Sequence, residues 1–384
     1  MKITVIASDY PYEDHQMYVF VEQLVNAMVD QGNELIVVAS QNIAKIILGR
    51  QKKLPFKTFA STKLGAKYLV YRPYYISFGL RFPFLRKSLD KIRSLSIRNI
   101  VKKIDSDVIY CHFWDSALLI KGYVQKRHLP LFVACGEGDN ALEEMVEELG
   151  KKGVDAIKSI VTGVISVSSE NKRKCLEYGL IDEDRIAVEP NCVDTTLFYK
   201  RNEEKLRKDL GINDGDFTIV FVGGFIPRKG PDRLADAISK LNDPHIKSIF
   251  VGKEFEGYNY SFYCDGIVFK GTASHNDIPK LLNCADVFVL PTQKEGCCNS
   301  IVEALACGLP VISSNGAFND DILDDSNSIR VNVDDVDDIA VAIKTLKDDI
   351  KKRQNMSKTS MERIDSYSIE ERAKRILSFI KKMI

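Results

Sequence analysis

Short apolar runs alternate along this chain with stretches in which apolar residues recur every three to four positions. Residues 3–7 (I-T-V-I-A) and 35–39 (L-I-V-V-A) are continuous apolar runs of strand length. Such runs suit strands covered on both faces. Between them, 18–29 set Val21, Leu24, Val25 and Met28 at helical spacing and stop near Gly32. Strand-like runs recur at 108–111, 131–134, 163–167 and 186–188, then at 218–222, 248–251, 268–269, 287–290, 311–313 and 329–331. Alternation of this kind predicts an α/β protein with parallel sheets and helices on both faces. Two successive sets predict two doubly wound, Rossmann-like domains.

The boundary falls in 187–194 (A-V-E-P-N-C-V-D). There Pro190 interrupts a strand and Asn191 tolerates a left-handed turn. The expected domains are 1–190 and 195–367, the second opening on a charged connector over 195–212. Residues 368–384 form an amphipathic basic helix carrying Ile369, Ala373, Ile376, Leu377, Phe379 and Ile380.

Composition is that of an ordinary globular protein, and 384 residues exceed what one small core organises. Nine cysteines, none in C-x-x-C spacing, argue against a zinc site or a secreted disulfide framework. Residues 1–7 are too short for a signal-peptide core, and no apolar run approaches the roughly 18 residues that span a bilayer. A reduced, cytoplasmic protein is expected. The net charge of +1 conceals an asymmetry. Residues 50–103 hold fifteen Lys/Arg and one acid, Asp90, whereas the remainder holds 39 Lys/Arg against 52 Asp/Glu. Phe56, Phe59, Tyr68, Tyr71, Tyr74, Tyr75, Phe78, Phe82 and Phe84 interleave with those cations. Basic plus aromatic suits an anionic membrane surface. It equally suits single-stranded nucleic acid, or a solvated face over an ordinary core.

The chemistry concentrates after the strand-like run 287–290, in Glu295-Gly296-Cys297-Cys298-Asn299-Ser300-Ile301-Val302-Glu303. A strand, a small-residue turn and a helix start aim free backbone N–H groups and a positive helix end at an anion. One carboxylate stays in the loop and the other sits one turn into the helix. Amides for a diphosphate, a carboxylate for sugar hydroxyls and a carboxylate for ribose hydroxyls would suit a nucleotide-sugar. Ser300-x-x-Glu303 is also a capping box, a purely structural alternative. The second motif is Val220-Phe221-Val222-Gly223-Gly224-Phe225-Ile226-Pro227-Arg228-Lys229-Gly230-Pro231. It sets two cations beyond a strand, where open α/β sheets bind ligands. Pro231 suits the first position of the following helix.

The run 295–312, continuing A-L-A-C-G-L-P-V-I, resembles the E-x7-E signature of the retaining GT-B glycosyltransferases of family 4. Residues 164–170, 187–194 and 220–231 resemble further elements of that family. The resemblance implies a GT-B fold, two Rossmann-like domains facing across a cleft, with the last helix crossing back to the first domain. It implies that Arg228 and Lys229 hold the donor diphosphate, with Gly223 and Gly224 in the same loop. Most members carry an Arg directly after the first Gly, where this chain has Gly224, so either Arg228 serves in its place or the site has only one firm cation. Glu295 would fix the donor sugar and Glu303 the ribose. Gly296, Cys297, Cys298, Asn299 and Ser300 would line the diphosphate, and Lys270 and Gly271 would back the base. His112, after the strand-like 108–111, resembles the family's histidine that approaches the reacting sugar. Glu137, in C-G-E-G-D, would reach the acceptor.

The loop after the first strand lacks the family's paired glycines, reading Ser8-Asp9-Tyr10-Pro11-Tyr12-Glu13-Asp14-His15, which disfavours close backbone approach to the diphosphate and leaves open whether it meets the donor or the acceptor, with His15 a residue to test. No Asp-x-Asp or carboxylate cluster is suitably placed, so no metal and no cofactor are expected beyond the nucleotide-diphospho-sugar. The implied enzyme transfers a sugar, with retention, to a glycan acceptor. That acceptor is expected to be lipid-linked at the inner membrane face, in capsule, exopolysaccharide or O-antigen assembly. The protein would then be peripheral to the membrane through 50–103, with no nucleic-acid partner. Two rivals stand: a phosphorylase or hydrolase on the same fold, using Glu295 and Glu303, and a nucleic-acid binder using 50–103.

Overall fold

A computed structural model of the chain describes residues 1–13, 15, 17–78, 83–138, 140–254 and 261–384, with 83–87 described as backbone only. The chain divides into two compact units, Met1–Glu189 with Arg372–Ile384, and Pro190–Glu371.

The first unit is built on β1 (Lys2–Ala7), β2 (Glu34–Ala39), a short pair β3 (Gln41–Asn42) and β6 (Tyr74–Tyr75), β4 (Lys57–Ser61), β5 (Lys67–Tyr71), β7 (Val108–His112), β8 (Leu131–Cys135), β9 (Gly163–Ser166) and β10 (Ile186–Val188). Eight of these form one sheet in the order β10-β9-β8-β7-β1-β2-β5-β4. The pairs from β10 to β5 run parallel, and β4 joins β5 antiparallel. The central strands are apolar throughout because helices cover both faces. Ile3, Val5, Val37, Ile109, Phe132 and Val133 are fully buried. Helix Val19–Asp30 buries Val21, Leu24, Val25 and Met28, the positions set by helical spacing.

The second unit carries β11 (Phe217–Val222), β12 (Ile246–Val251), β13 (Ile267–Gly271), β14 (Val287–Leu290), β15 (Val311–Ser314) and β16 (Ser328–Val331). They form an all-parallel sheet ordered β13-β12-β11-β14-β15-β16. The order reverses beside the first strand of each unit, between β1 and β7 and between β11 and β14. Such switch points open a crevice at the carboxyl ends of the strands.

Helix Ile369–Met383 buries Ile369, Ala373, Ile376, Leu377 and Ile380. From Arg372 onward it belongs to the first unit. There Arg372 donates to the Glu189 carbonyl at 3.2 Å, Arg375 bonds the Glu189 carboxylate at 2.7 Å, and the Phe379 ring meets Phe132 edge-on.

Three details depart from the sequence reading. The hairpin β4–β5 lay hidden in the basic run, because a sheet edge alternates exposed and buried residues instead of presenting an apolar run. Within that run Tyr68 and Arg72 are not surface groups. Tyr68 hydrogen-bonds Asn26 and Tyr10, and Arg72 donates to the Pro11 carbonyl and the Thr58 hydroxyl, all in the interior. Arg81 and Phe82 lie outside the described residues, as do the side chains of Phe84, Arg86 and Lys87. Asn191 is not left-handed. Its side-chain amide instead donates to the Cys297 carbonyl at 3.0 Å, pinning the loop that leads into helix Asn299–Ala306.

Candidate active site

At the switch point of the second unit, β11 runs into Gly223-Gly224, and β14 into 291–298. The first loop needs glycine on its neighbour. A Cβ on Gly252, at the end of β12, would lie 2.0 Å from the Gly223 carbonyl oxygen. Beyond the loop a short turn, Pro227–Lys229, ends at Gly230 with φ 71°, and Pro231 opens helix Pro231–Leu241. That turn delivers Arg228 and Lys229 to the end of β14.

There they meet Glu295. Its Oε1 accepts from Lys229 Nζ at 2.5 Å, Arg228 Nη1 at 3.0 Å and the Thr292 hydroxyl at 2.8 Å. Arg228 also donates to the Lys294 carbonyl. Burial works against charge on Lys229, but the neighbouring Cys298 sulfur and Glu295 carboxylate outweigh it and hold the ammonium above its ordinary range. The Cys298 thiol is itself pushed up by burial and so stays neutral, which leaves Glu295 as the partner that matters. All nine cysteines, Cys297 and Cys298 among them, are buried, and no disulfide joins them.

Helix Asn299–Ala306 follows, with Cys298 at its cap position and no side chain closing the cap. Its first amides are therefore open to a ligand. Ser300 is the second helical residue and not the cap, so Ser300 and Glu303 do not form a capping box. Glu303 falls one turn into the helix, half-buried and without a hydrogen-bond partner among the described residues. Burial alone raises its carboxyl to about 7. The buried Asn299 Oδ1 also lacks a partner. An amide oxygen on the first turn and a carboxylate on the second thus await donors.

Lys270 and Gly271 end the edge strand β13. Lys270 lies over the Phe262 ring at 3.8 Å and donates to the Phe262 carbonyl, while Gly271 faces open space.

In the first unit His112 ends β7 at the switch point. It is buried among Phe113, Phe20, Tyr110 and Tyr18, with ring centroids 4.7–6.5 Å away. Burial, helped by the Arg372 charge, pushes it down to about 3. It is a neutral imidazole, fit to share a hydrogen bond but not to donate a proton as an acid. Its Nδ1 has no partner. The next residue, Phe113, has φ 74° and ψ 157°, a conformation almost reserved for glycine. Glu137 steadies that turn. One oxygen accepts from the Trp114 N–H at 2.9 Å and the other from the Gly136 N–H at 3.0 Å. Burial raises Glu137 to about 7 against these amides. The expected acceptor ligand is therefore engaged with its own backbone. Asp139 and Asp14 lie outside the described residues. His15 Nε2 bonds Asp9 at 2.8 Å.

Sequence reasoning missed the roles of Thr292 and Gly252 and gave Asn191 a different one. Thr292 stands three residues before Glu295, a spacing that signals a loop hydroxyl only once the carboxylate is known to turn back. The others act across strands, which no local pattern reveals. Among the described residues no group of three His, Cys, Asp or Glu is arranged to hold a metal ion.

Residues 17–197 match the family described as Glycosyltransferase Family 4, and residues 202–363 match Glycosyl transferases group 1. The UDP-Gal:alpha-D-GlcNAc-diphosphoundecaprenol alpha-1,3-galactosyltransferase of Escherichia coli is 26% identical over 314 residues, 77% of this chain and 81% of that protein. The D-inositol 3-phosphate glycosyltransferase of Thermomonospora curvata is 25% identical over 65% of each chain. Among solved structures, the sucrose-phosphate synthase of Thermosynechococcus elongatus superposes with TM-score 0.76 at 18% identity over 100% of this chain and 98% of its own. Anabaena HepE in complex with UDP-glucose superposes with TM-score 0.72 at 18% identity over the whole of both chains.

Proposed function

Since the chain belongs to the glycosyltransferases of family 4 and group 1, with the GT-B fold, we propose that it is a retaining, metal-independent enzyme that moves a sugar from a nucleotide-diphospho-sugar to a lipid-linked glycan. The observation that carries this reading is the cluster of Arg228, Lys229 and Glu295 at the switch point of the second unit, beside an uncapped helix start.

The diphosphate takes Arg228, Lys229 and the amides at Asn299 and Ser300. These groups are fixed before the ligand arrives, so they stabilise charge growing on the leaving diphosphate without reorganising. Glu295 passes from the cations to a hydroxyl of the donor sugar. Glu303 finds in the ribose the donors it lacks, and the gain includes relief of its desolvation. Gly223 and Gly224 let the backbone approach the phosphates, and Gly271 leaves room for the base. His112, a neutral imidazole with Nδ1 unpartnered, is suited to hydrogen-bond a sugar hydroxyl without bringing a charge to it. Departure and attack on the same face of the sugar preserve its configuration.

A lipid-linked acceptor, in assembly of a cell-surface polysaccharide, is supported by the relative named for transfer onto a diphosphoundecaprenol-linked GlcNAc. The surface of the first unit supports it too. Ile47, Leu48, Phe56, Phe59 and Leu64 are exposed beside Arg50, Lys52, Lys53, Lys57 and Lys63. Apolar insertion and attraction to anionic headgroups would hold such a face on the inner leaflet. Among the described residues no helix is long and apolar enough to cross a membrane.

Thermal shift against UDP-, GDP- and ADP-sugars tests the donor assignment. One base should raise the melting temperature of the wild type and leave a variant lacking Arg228 and Lys229 unmoved. No shift with any of them would overturn it.

A further inference from the structure

One cation of the basic run is neither exposed like its lysines nor taken up in the interior like Arg72. Arg93, on helix Pro83–Val101, is half-buried against the carboxyl ends of β1 and β2. Its Nε donates to the Ser40 hydroxyl at 2.9 Å, and Nη2 reaches the Ser8 hydroxyl at 3.5 Å. Its guanidinium lies 4.5 Å from the Tyr75 ring centroid. Ser8 follows β1 and Ser40 follows β2, so the group stands at the carboxyl edge of the sheet, beside the switch point of the first unit. Among the described residues no carboxylate pairs with it, and Nη1 has no partner. The nearest acid in the network, Asp115, is reached only through Ser8, which donates to it at 2.7 Å.

A guanidinium does not shed its proton, so burial without a counter-ion leaves an uncompensated cost. It is oriented on one edge and one face, with its second edge open. A fork fixed in this way matches the paired oxygens of a phosphate. We propose that Arg93 binds a phosphate group of the acceptor, with Asp115, linked to it through Ser8, near enough to receive a hydroxyl of the sugar ring. The donor diphosphate does not account for Arg93, because the donor cations belong to the second unit. An anionic membrane does not account for it either, because its side chain is held inward by Ser40 and Tyr75, whereas Arg50, Lys52, Lys53, Lys57 and Lys63 are solvent-exposed. The identity of the bound molecule rests on the glycosyltransferase reading; the phosphate site itself does not.

The test titrates inorganic pyrophosphate into wild type, Arg93→Gln, and a variant with both Arg228→Ala and Lys229→Ala, followed by calorimetry and phosphorus NMR. Arg93→Gln should weaken binding about tenfold to a hundredfold, the range for a hydrogen-bonded charge. Arg93→Lys, which keeps the charge and loses the fork, should fall between. Both should bind nucleotide-sugar and phosphatidylglycerol vesicles as wild type does. In turnover, Arg93→Gln should raise KM for a short-chain prenyl-diphosphate-linked sugar and not for the same sugar without phosphate. Pyrophosphate binding that survives Arg93→Gln but vanishes without Arg228 and Lys229 overturns the inference and leaves the donor reading standing. Nucleotide binding indifferent to Arg228 and Lys229, with pyrophosphate binding lost in Arg93→Gln, does the reverse. Loss of vesicle binding alone in Arg93→Gln would make Arg93 a membrane contact and overturn the phosphate site.

Discussion

Replacing Glu303 by Gln should make the protein more stable and a poorer binder at once. The carboxyl is half-buried and partnerless, and burial moves it from 4.5 to about 7. A group protonated more readily in the native state than in the unfolded chain stabilises the fold fully below pH 4.5. That contribution is lost as the pH rises from there through about 7. At 1.36 kcal/mol per pH unit the charged form costs about 3 kcal/mol, of which partial solvent access leaves about 2. Gln has nearly the same volume and no charge to desolvate. Denaturant unfolding of the second unit should therefore show Glu303→Gln about 2 kcal/mol more stable than wild type at pH 8 and equal to it near pH 5. Glu137 titrates over the same range, but it is present in both proteins and cancels. Nucleotide affinity at pH 8 should fall about tenfold, because a neutral amide bonds ribose hydroxyls less strongly than a carboxylate, while turnover at saturating donor changes less. A variant less stable than wild type at both pH values would refute the burial argument. Unchanged nucleotide affinity would refute the ribose role.

Arg228→Ala and Lys229→Ala should each lower kcat by about two to three decades with the fold intact by circular dichroism, and near-normal turnover in both would place the diphosphate elsewhere. Activity should persist in EDTA; loss with rescue by Mg²⁺ or Mn²⁺ would mean a metal, not these cations, meets the leaving group. Wild type should sediment with anionic vesicles, less so as salt rises, each basic residue near the surface contributing about 1 kcal/mol. Phe59→Ser with Leu64→Ser should remove the salt-resistant part, and indifference of wild type to vesicles at low salt would point to a soluble acceptor.

Much of this architecture is written locally in the chain. Runs such as 3–7 and 218–222 are apolar because both faces are covered, and that alone signals parallel strands. Pro231 after Gly230 marks a helix start, and the spacing from Glu295 to Glu303 puts one acid in a loop and one on a helix. What escaped is what depends on strand neighbours. The edge hairpin β4–β5 buries only alternate residues, Tyr68 and Val70 among them, so no apolar run betrays it. Arg72 and Arg93 look like the other cations of their run until the sheet brings Pro11, Ser8 and Ser40 beside them. Gly252 is intelligible only against Gly223 on the adjacent strand. The ionisation of Glu137, Glu303 and His112 follows from burial, which spacing does not disclose.

The carboxylate of Glu295, seated on both cations of the second unit, supplies that site with a tethered counter-ion. Filling the site is then an exchange of one anion for another. A tether of a few residues keeps the resident carboxylate at an effective concentration of about millimolar or more. Inorganic phosphate, which gains only what it displaces, is a weak competitor under those terms. A nucleotide-sugar brings a ribose for Glu303 and sugar hydroxyls for the evicted Glu295, so the exchange favours it alone. The site thus discriminates by what the incoming molecule offers the group it removes, and its two cations stand covered, not bare, before the ligand arrives.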